Sequence, residues 1–189
     1  AEPLDLVVER VRDGRSVATR RVTVVQGGRT LLAAMVSFEV NRDVPAYPRP
    51  EPAASSPDDL PLLQEWFREM PEGRHGQAGN WIEQPPPFEI RIGEAPSFAS
   101  GQPGDGPRTH WLRLPRPIGS DPLLHAATLA YGSDYLLLDM TLRVHPDRGA
   151  PTFLAGFSVD HALWLHAPVR LHDWHRYTQE AVAVSGDRG

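Results

Sequence analysis

The chain predicts an α+β architecture built on antiparallel sheet. Three observations carry that prediction. Near the start, Val- and Thr-rich runs are separated by Gly-containing dipeptides; the second half holds one well-capped apolar helix; and the two ends share a partial internal echo.

Residues 4–40 read as a three-stranded meander. LDLVVERV is followed by Asp13-Gly14, RSVATRRVTVVQ by Gly27-Gly28, and RTLLAAMVSFEV completes it. Asp-Gly and Gly-Gly tolerate the positive φ that two-residue hairpin turns require, and the intervening runs suit a pleated surface. Five prolines between Pro45 and Pro57 forbid a continued ladder, so this stretch reads as an extended connector. DDLPLLQEWFREM then reads as a short amphipathic helix, with Asp58 or Asp59 capping and Leu62, Leu63, Trp66 and Phe67 turned inward. PFEIRIG and THWLRLPRPIG read as strands within a segment punctuated by Pro85-Pro86-Pro87 and several glycines.

GSDPLLHAATLAYGSDYLLLDM is the clearest helix: Asp121 suits the N-cap, Pro122 the first helical position, and an apolar run follows. After the loop HPDRGAP, FLAGFSVDHALWLH and WHRYTQEAVAV read as two more strands. The echo runs from Leu6-Val7-Val8-Glu9 to Gly14-Arg15, and again from Tyr177-Thr178-Gln179-Glu180 to Asp187-Arg188-Gly189. It suggests two copies of one strand–helix–meander unit, the first lacking its beginning and the second its end. A start inside a strand and an end without a closing element raise the same expectation of a longer native chain.

The net charge of −5 and the lack of any Lys/Arg block argue against nucleic acid as a partner. With no cysteine, disulfides, thiolate nucleophiles and Cys-based zinc sites are excluded. No run approaches the roughly 20 apolar residues of a membrane span, and AEPLDLVVER is not a signal peptide, so no membrane partner and a cytoplasmic location are expected.

Four of eight histidines fall in SVDHALWLHAPVRLHDWHRY, at His161, His166, His172 and His175. His172-x-x-His175 beside Asp173 suggests metal ligands, but ligands must converge, and on strands only residues of like parity share a face. The four do not, so they read as scaffold, and neither metal nor cofactor is expected. GFSVD, Gly156 to Asp160, comes within one residue of a nucleophile elbow, yet that motif needs a strand-to-helix turn, and the chain here reads on as strand. An acyl-serine is therefore disfavoured, while the Ser158 hydroxyl still donates and accepts hydrogen bonds.

Asp134 is the most informative residue. On helical spacing it falls in the arc of Leu123, Ala127, Tyr131 and Leu138, and a carboxylate in an apolar stripe is costly. Two readings stay open. It caps a neighbouring turn or pairs with an arginine, Gly132 allowing a break that turns it outward; or it is a general base in a largely dry pocket, completed by a strand serine such as Ser158.

Three separated segments, DGRSVATRRVTVVQGGRTLLAAMVSFE, LHAATLAYGSDYLLLD and SVDHALWLHAPVRLHDWHRYTQEAVAVSGDRG, together resemble the acyl-CoA thioesterase II family, the TesB-like double hot-dog enzymes. The resemblance implies a double hot-dog fold, each antiparallel sheet wrapped around a central helix. Residues 1–44 would be the remainder of the first unit, 45–72 a Pro-rich linker and short helix, and 73–189 the second unit without its final strands. It implies hydrolysis of fatty acyl-CoA to free acid and CoA without a covalent intermediate, the water held by an Asp, a Ser or Thr, and a Gln. The Asp of the A-Y-x-S-D segment matches Asp134, and the hydroxyl residue before D-H-x-x-W matches Ser158. The Gln has no counterpart; Gln179 lies on an earlier strand. Acyl-CoA is the implied partner and a homo-oligomer the implied state. The alternatives are a catalytically incomplete acyl-CoA- or lipid-binding protein, and a dehydratase using an Asp/His pair, for which His125 stands nine residues before Asp134. Arg113, Arg116, Arg143 and Arg148 are generic candidates for CoA phosphate.

Overall fold

The computed structural model describes residues 2–40, 53–70, 81–144, 156–185 and 189. The chain divides into two compact units, 1–51 and 52–189. In the first, β1 (Asp5–Asp13), β2 (Val17–Gln26) and β3 (Arg29–Glu39) form an antiparallel meander. Gly27 and Gly28, at φ 55° and 78°, make the two-residue turn that joins Gln26 to Arg29. The Asp13-Gly14 turn is longer than expected. Asp13 pairs with Ala18, and the Gly14 N–H donates to Val17 O at 3.0 Å. Glycine is needed there because a Cβ would stand 2.8 Å from that same oxygen.

In the second unit, Ser56 caps a single 3-10 turn at Pro57–Asp59, so neither Asp58 nor Asp59 caps the helix that follows. That helix, α1 (Leu63–Arg68), has no side-chain cap. Leu63 and Phe67 bury fully, and the Trp66 indole N–H donates to Ile92 O at 3.0 Å, so α1 packs into the core of this unit. β4 (Glu89–Ile92), β5 (Arg108–Arg113) and β6 (His175–Gln179) form the second antiparallel sheet. A short helix, α2 (Ser97–Ser100), lies between β4 and β5. Ile90, Ile92 and Leu112 of the sheet bury against Phe67, Phe88, Phe98 and Leu171.

The long helix expected over 121–140 is broken in two. α3 (Pro122–Gly132) starts as predicted, with Asp121 accepting from the Leu123 N–H at 2.9 Å and Pro122 at its first position. α4 (Leu137–Leu142) follows after the bend 133–136. Gly132 permits that bend: a Cβ would meet the Phe88 ring at 2.7 Å. Leu136 completes it in the left-handed region at φ 64°, a conformation that costs a branched residue about 1–2 kcal/mol.

Two further expectations are corrected. Residues 156–166 carry no strand, because none of the described strands runs alongside them to supply a ladder. WHRYTQEAVAV forms a strand only over His175–Gln179. The loop HPDRGAP and the echo at 187–188 lie outside the described residues. Among the described residues, no helix is long and apolar enough to cross a membrane.

Candidate active site

The bend 133–136 is where the two candidate residues meet. Ser158 Oγ donates to Asp134 Oδ1 at 2.9 Å. A second bond holds the same segment to the same bend: His161 Nε2 lies 2.8 Å from Ser133 Oγ. Ser133 spends its single hydroxyl proton on Ala130 O at 2.8 Å, so it can only accept from His161, which fixes that imidazole as the Nε2–H tautomer. His161 therefore bonds to the end of α3.

Among the described residues, no dry pocket surrounds Asp134. Asp134 is exposed, and its presumed apolar arc faces solvent too, Leu123 and Tyr131 being 64% and 59% exposed. The arc already faces solvent within α3, before the break after Gly132 ends the regular helical phase ahead of Asp134. The outward turn allowed by the first reading is what the structure adopts, with Ser158, not an arginine, as the partner. Exposed apolar side chains crowd the sequence around Ser158, with Phe157 at 78%, Val159 at 85% and Trp164 at 73% exposed.

Beneath the bend lies a buried polar network that the sequence reading missed. Arg108 is 1% exposed, Asp139 0% and Gln179 2%. The Arg108 guanidinium pairs with Asp139, donates to Leu136 O at 2.9 Å and donates to Gln179 Oε1 at 2.9 Å. Gln179 Nε2 donates to Tyr135 O at 2.8 Å, and the Tyr177 hydroxyl donates to Ser133 O at 2.5 Å. Asp139 also accepts the Ser97 and Phe98 N–H groups, at 3.0 and 2.8 Å, so its charge is met from two directions.

Burial pushes the Tyr177 phenol up from its ordinary value. The Gln179 hydrogen bond opposes this, the Asp134 charge adds to it and Arg108 again opposes. The phenol stays protonated and donates. His110, opposite Tyr177 on β5, is fully buried, and its ring meets the tyrosine edge-on at 5.1 Å. Burial first, and then the Arg108 charge, push its pKa down to about 3. It is a neutral core imidazole. The signal that would have found this network is parity: Arg108 and His110 share the inward face of β5 with Leu112, polar groups where alternation calls for apolar ones.

The other candidates take structural places. His125 is buried, its Nε2 donating to Gly119 O at 3.0 Å and its Nδ1 accepting from the Leu171 N–H at 3.2 Å, so both nitrogens are committed to backbone. His172 packs its ring against His125 at 5.0 Å, and His175 Nε2 donates to Arg170 O at 2.9 Å; His166 is exposed. Among the described residues, no group of three His, Asp or Glu side chains is placed to hold a metal ion. Arg113 pairs with Glu89 at 2.8 Å and lies 4.2 Å from the Trp174 ring centroid, while Arg143 is buried against Glu94 and Asp105 O. Arg116 is exposed and Arg148 lies outside the described residues. Gln179, committed to Arg108 and Tyr135, is not presented to the pair's solvent side.

Chemically, the pair offers a carboxylate with one oxygen engaged by a hydroxyl and the other without a protein partner among the described residues. The hydroxyl, its proton given to Asp134, keeps lone pairs with which to accept. The arrangement thus leaves an acceptor on each residue, the second Asp134 carboxylate oxygen and the Ser158 Oγ lone pairs.

A family model described as acyl-CoA thioesterase matches residues 86–189, and another, described as the acyl-CoA thioesterase N-terminal domain, matches residues 1–39. The chain is 30% identical to acyl-coenzyme A thioesterase 8 of Mus musculus, over 96% of its own length and 59% of that protein's. To acyl-CoA thioesterase 2 of Haemophilus influenzae it is 24% identical, over 99% and 65%. Its fold is similar to that of the acyl-CoA thioesterase II TesB2 from Mycobacterium marinum, with TM-score 0.68 and 30% identity over 96% of this chain and 62% of that one. A tesB protein of Mycobacterium avium subs paratuberculosis matches with TM-score 0.66 and 25% identity, over 98% and 61%. The chain thus spans between 59% and 65% of the length of these relatives.

Proposed function

Because the chain belongs to the acyl-CoA thioesterase family, with an α+β double hot-dog fold, we propose that the native protein hydrolyses fatty acyl-CoA to free acid and CoA at Asp134 and Ser158. The reading is carried by the 2.9 Å bond from Ser158 Oγ to Asp134 Oδ1, at a bend whose carboxylate is open on its other side. Asp134 takes a proton from the held water as the water oxygen attacks the thioester carbonyl. Collapse of the tetrahedral intermediate breaks the C–S bond, and the proton passes from Asp134 to the departing thiolate. Thiolate is a competent leaving group, so the step asks for a general base and an oriented water and no acyl-serine. The exposed Phe157, Val159, Trp164 and Tyr131 support an apolar acyl chain lying beside the pair.

The experiment incubates the full native protein with a long-chain acyl-CoA and titrates free thiol. One thiol per acyl-CoA consumed is expected; stoichiometric binding without thiol release would leave an acyl-CoA-binding protein instead. The same reading carries a cytoplasmic homo-oligomer. Light scattering checks the assembly, and a monomer mass contradicts it.

A further inference from the structure

Breaking a helix strips its backbone of the regular donors, and every carbonyl through the bend needs a replacement. Here each one has it. Gly132 O accepts from the Tyr135 N–H at 3.2 Å and Asp134 O from the Leu137 N–H at 3.3 Å, both local turns. The three in between and after are held from the sheet: Ser133 O by the Tyr177 hydroxyl, Tyr135 O by Gln179 Nε2 and Leu136 O by Arg108. The three donors come from neighbouring strands in fixed register, Arg108 opposite Gln179 and His110 opposite Tyr177. Asp139, in the first turn of α4, closes the ring by pairing with Arg108. The carbonyls of the residues on either side of Asp134, Ser133 and Tyr135, are thus held by the half-buried Tyr177 and the buried Gln179, while the Asp134 side chain itself is exposed.

A helix break that only redirected the chain would not need a buried cation and two further side-chain donors aimed at three of its carbonyls. We propose that Tyr177, Gln179 and Arg108 are positioning residues that fix the backbone on both sides of Asp134 and so aim its carboxylate at the Ser158 hydroxyl and the water between them. The proposal rests on the general-base reading of Asp134. The polar atoms of Tyr177 and Gln179 meet each other, the Ser133 and Tyr135 carbonyls and the Arg108 fork, and none of them meets Asp134 or Ser158, so their influence on the reaction passes through the bend. Loosening it rotates the carboxylate away from its productive direction without altering the surface on which an acyl chain would lie.

The experiment is a double-mutant cycle in the full native protein, measuring kcat and KM for acyl-CoA hydrolysis. Tyr177→Phe removes the hydroxyl, and with it the donor to Ser133 O and the hydrogen bond to Gln179; Gln179→Glu keeps the acceptor toward Arg108, deletes the donor to Tyr135 O and adds a carboxylate beside the guanidinium. Each is expected to lower kcat by about 10- to 100-fold with KM little changed, the scale of a small misplacement at a reacting group. In an Asp134→Asn background the same changes should cost nothing further, because the group they aim is already disabled. Full kcat in both variants, alongside a slow Asp134→Asn, overturns the positioning role and leaves the base intact. Losses that multiply with Asp134→Asn assign the network to general stability and overturn the proposal as well. Near-wild-type turnover of Asp134→Asn alone removes the base reading and this proposal with it. Should Tyr177→Phe not fold, Gln179→Glu carries the same cycle.

Discussion

A serine hydroxyl that donates to a carboxylate at 2.9 Å has its proton committed and its lone pairs open, which suits it to hold water and ill suits it to attack. Ser158→Ala is therefore expected to lower kcat by about 10- to 100-fold through loss of one charge-assisted hydrogen bond. Ser158→Thr keeps the hydroxyl and should retain most of the turnover; steady-state thiol release from the two variants checks this. Equal loss in both would place the importance of position 158 in its size, not in its oxygen. The burial of His110 gives a second expectation. Its folded pKa of about 3 lies below the ordinary histidine value of 6.5, so between these values the unfolded chain binds a proton that the folded chain refuses. Stability contributed by the neutral imidazole is fully present above pH 6.5 and is lost as pH falls toward 3. One proton corresponds to at most about 1.4 kcal/mol per pH unit. His110→Phe should flatten the wild-type slope between pH 6.5 and 4 in urea denaturation; an unchanged slope would assign acid sensitivity to other groups.

Among the elements, the bend between α3 and α4 depends on two residues of opposite character. Gly132 is there because Phe88 fills the space of a side chain, and Gly132→Ala should destabilise by about 1–3 kcal/mol through overpacking while displacing the bend. Asp139 is there because Arg108 is. Asp139→Asn leaves a buried guanidinium without its counter-charge and should cost about 3–5 kcal/mol, read as a shift in denaturation midpoint at unchanged m-value. What could be read in advance follows the same division. The Gly27-Gly28 turn, the Asp121 cap and Pro122 were legible because the chemistry of each is complete within four residues. The break after Gly132 was legible only as an allowance, since its cause, Phe88, lies 44 residues away in sequence. FSVDHALWLH alternates as a strand should, yet a strand also needs a neighbour, and alternation says nothing of one.

In the molecule as a whole, each unit has its own sheet, and the candidate site is built within the second. Asp134 and Ser158 were legible as a pair through motif matches, and their meeting is observed. The exposure of Asp134 was not, because helical spacing groups it with Leu123 and Tyr131 but does not say whether that arc meets a neighbour or solvent. The supporting network stayed hidden for a physical reason: Arg108 is 31 residues from Asp139 and 71 from Gln179, a separation that no local pattern spans. Only the parity of β5, with Arg108 and His110 at inward positions, pointed toward it.

One determination bears on all of this: the turnover of Asp134→Asn against wild type in the full native protein, measured as thiol released from a long-chain acyl-CoA. A loss of about 10²- to 10⁴-fold in kcat, with binding of the acyl-CoA retained, is the expected result. Turnover within a few-fold of wild type would contradict it and remove the carboxylate at the bend from the chemistry.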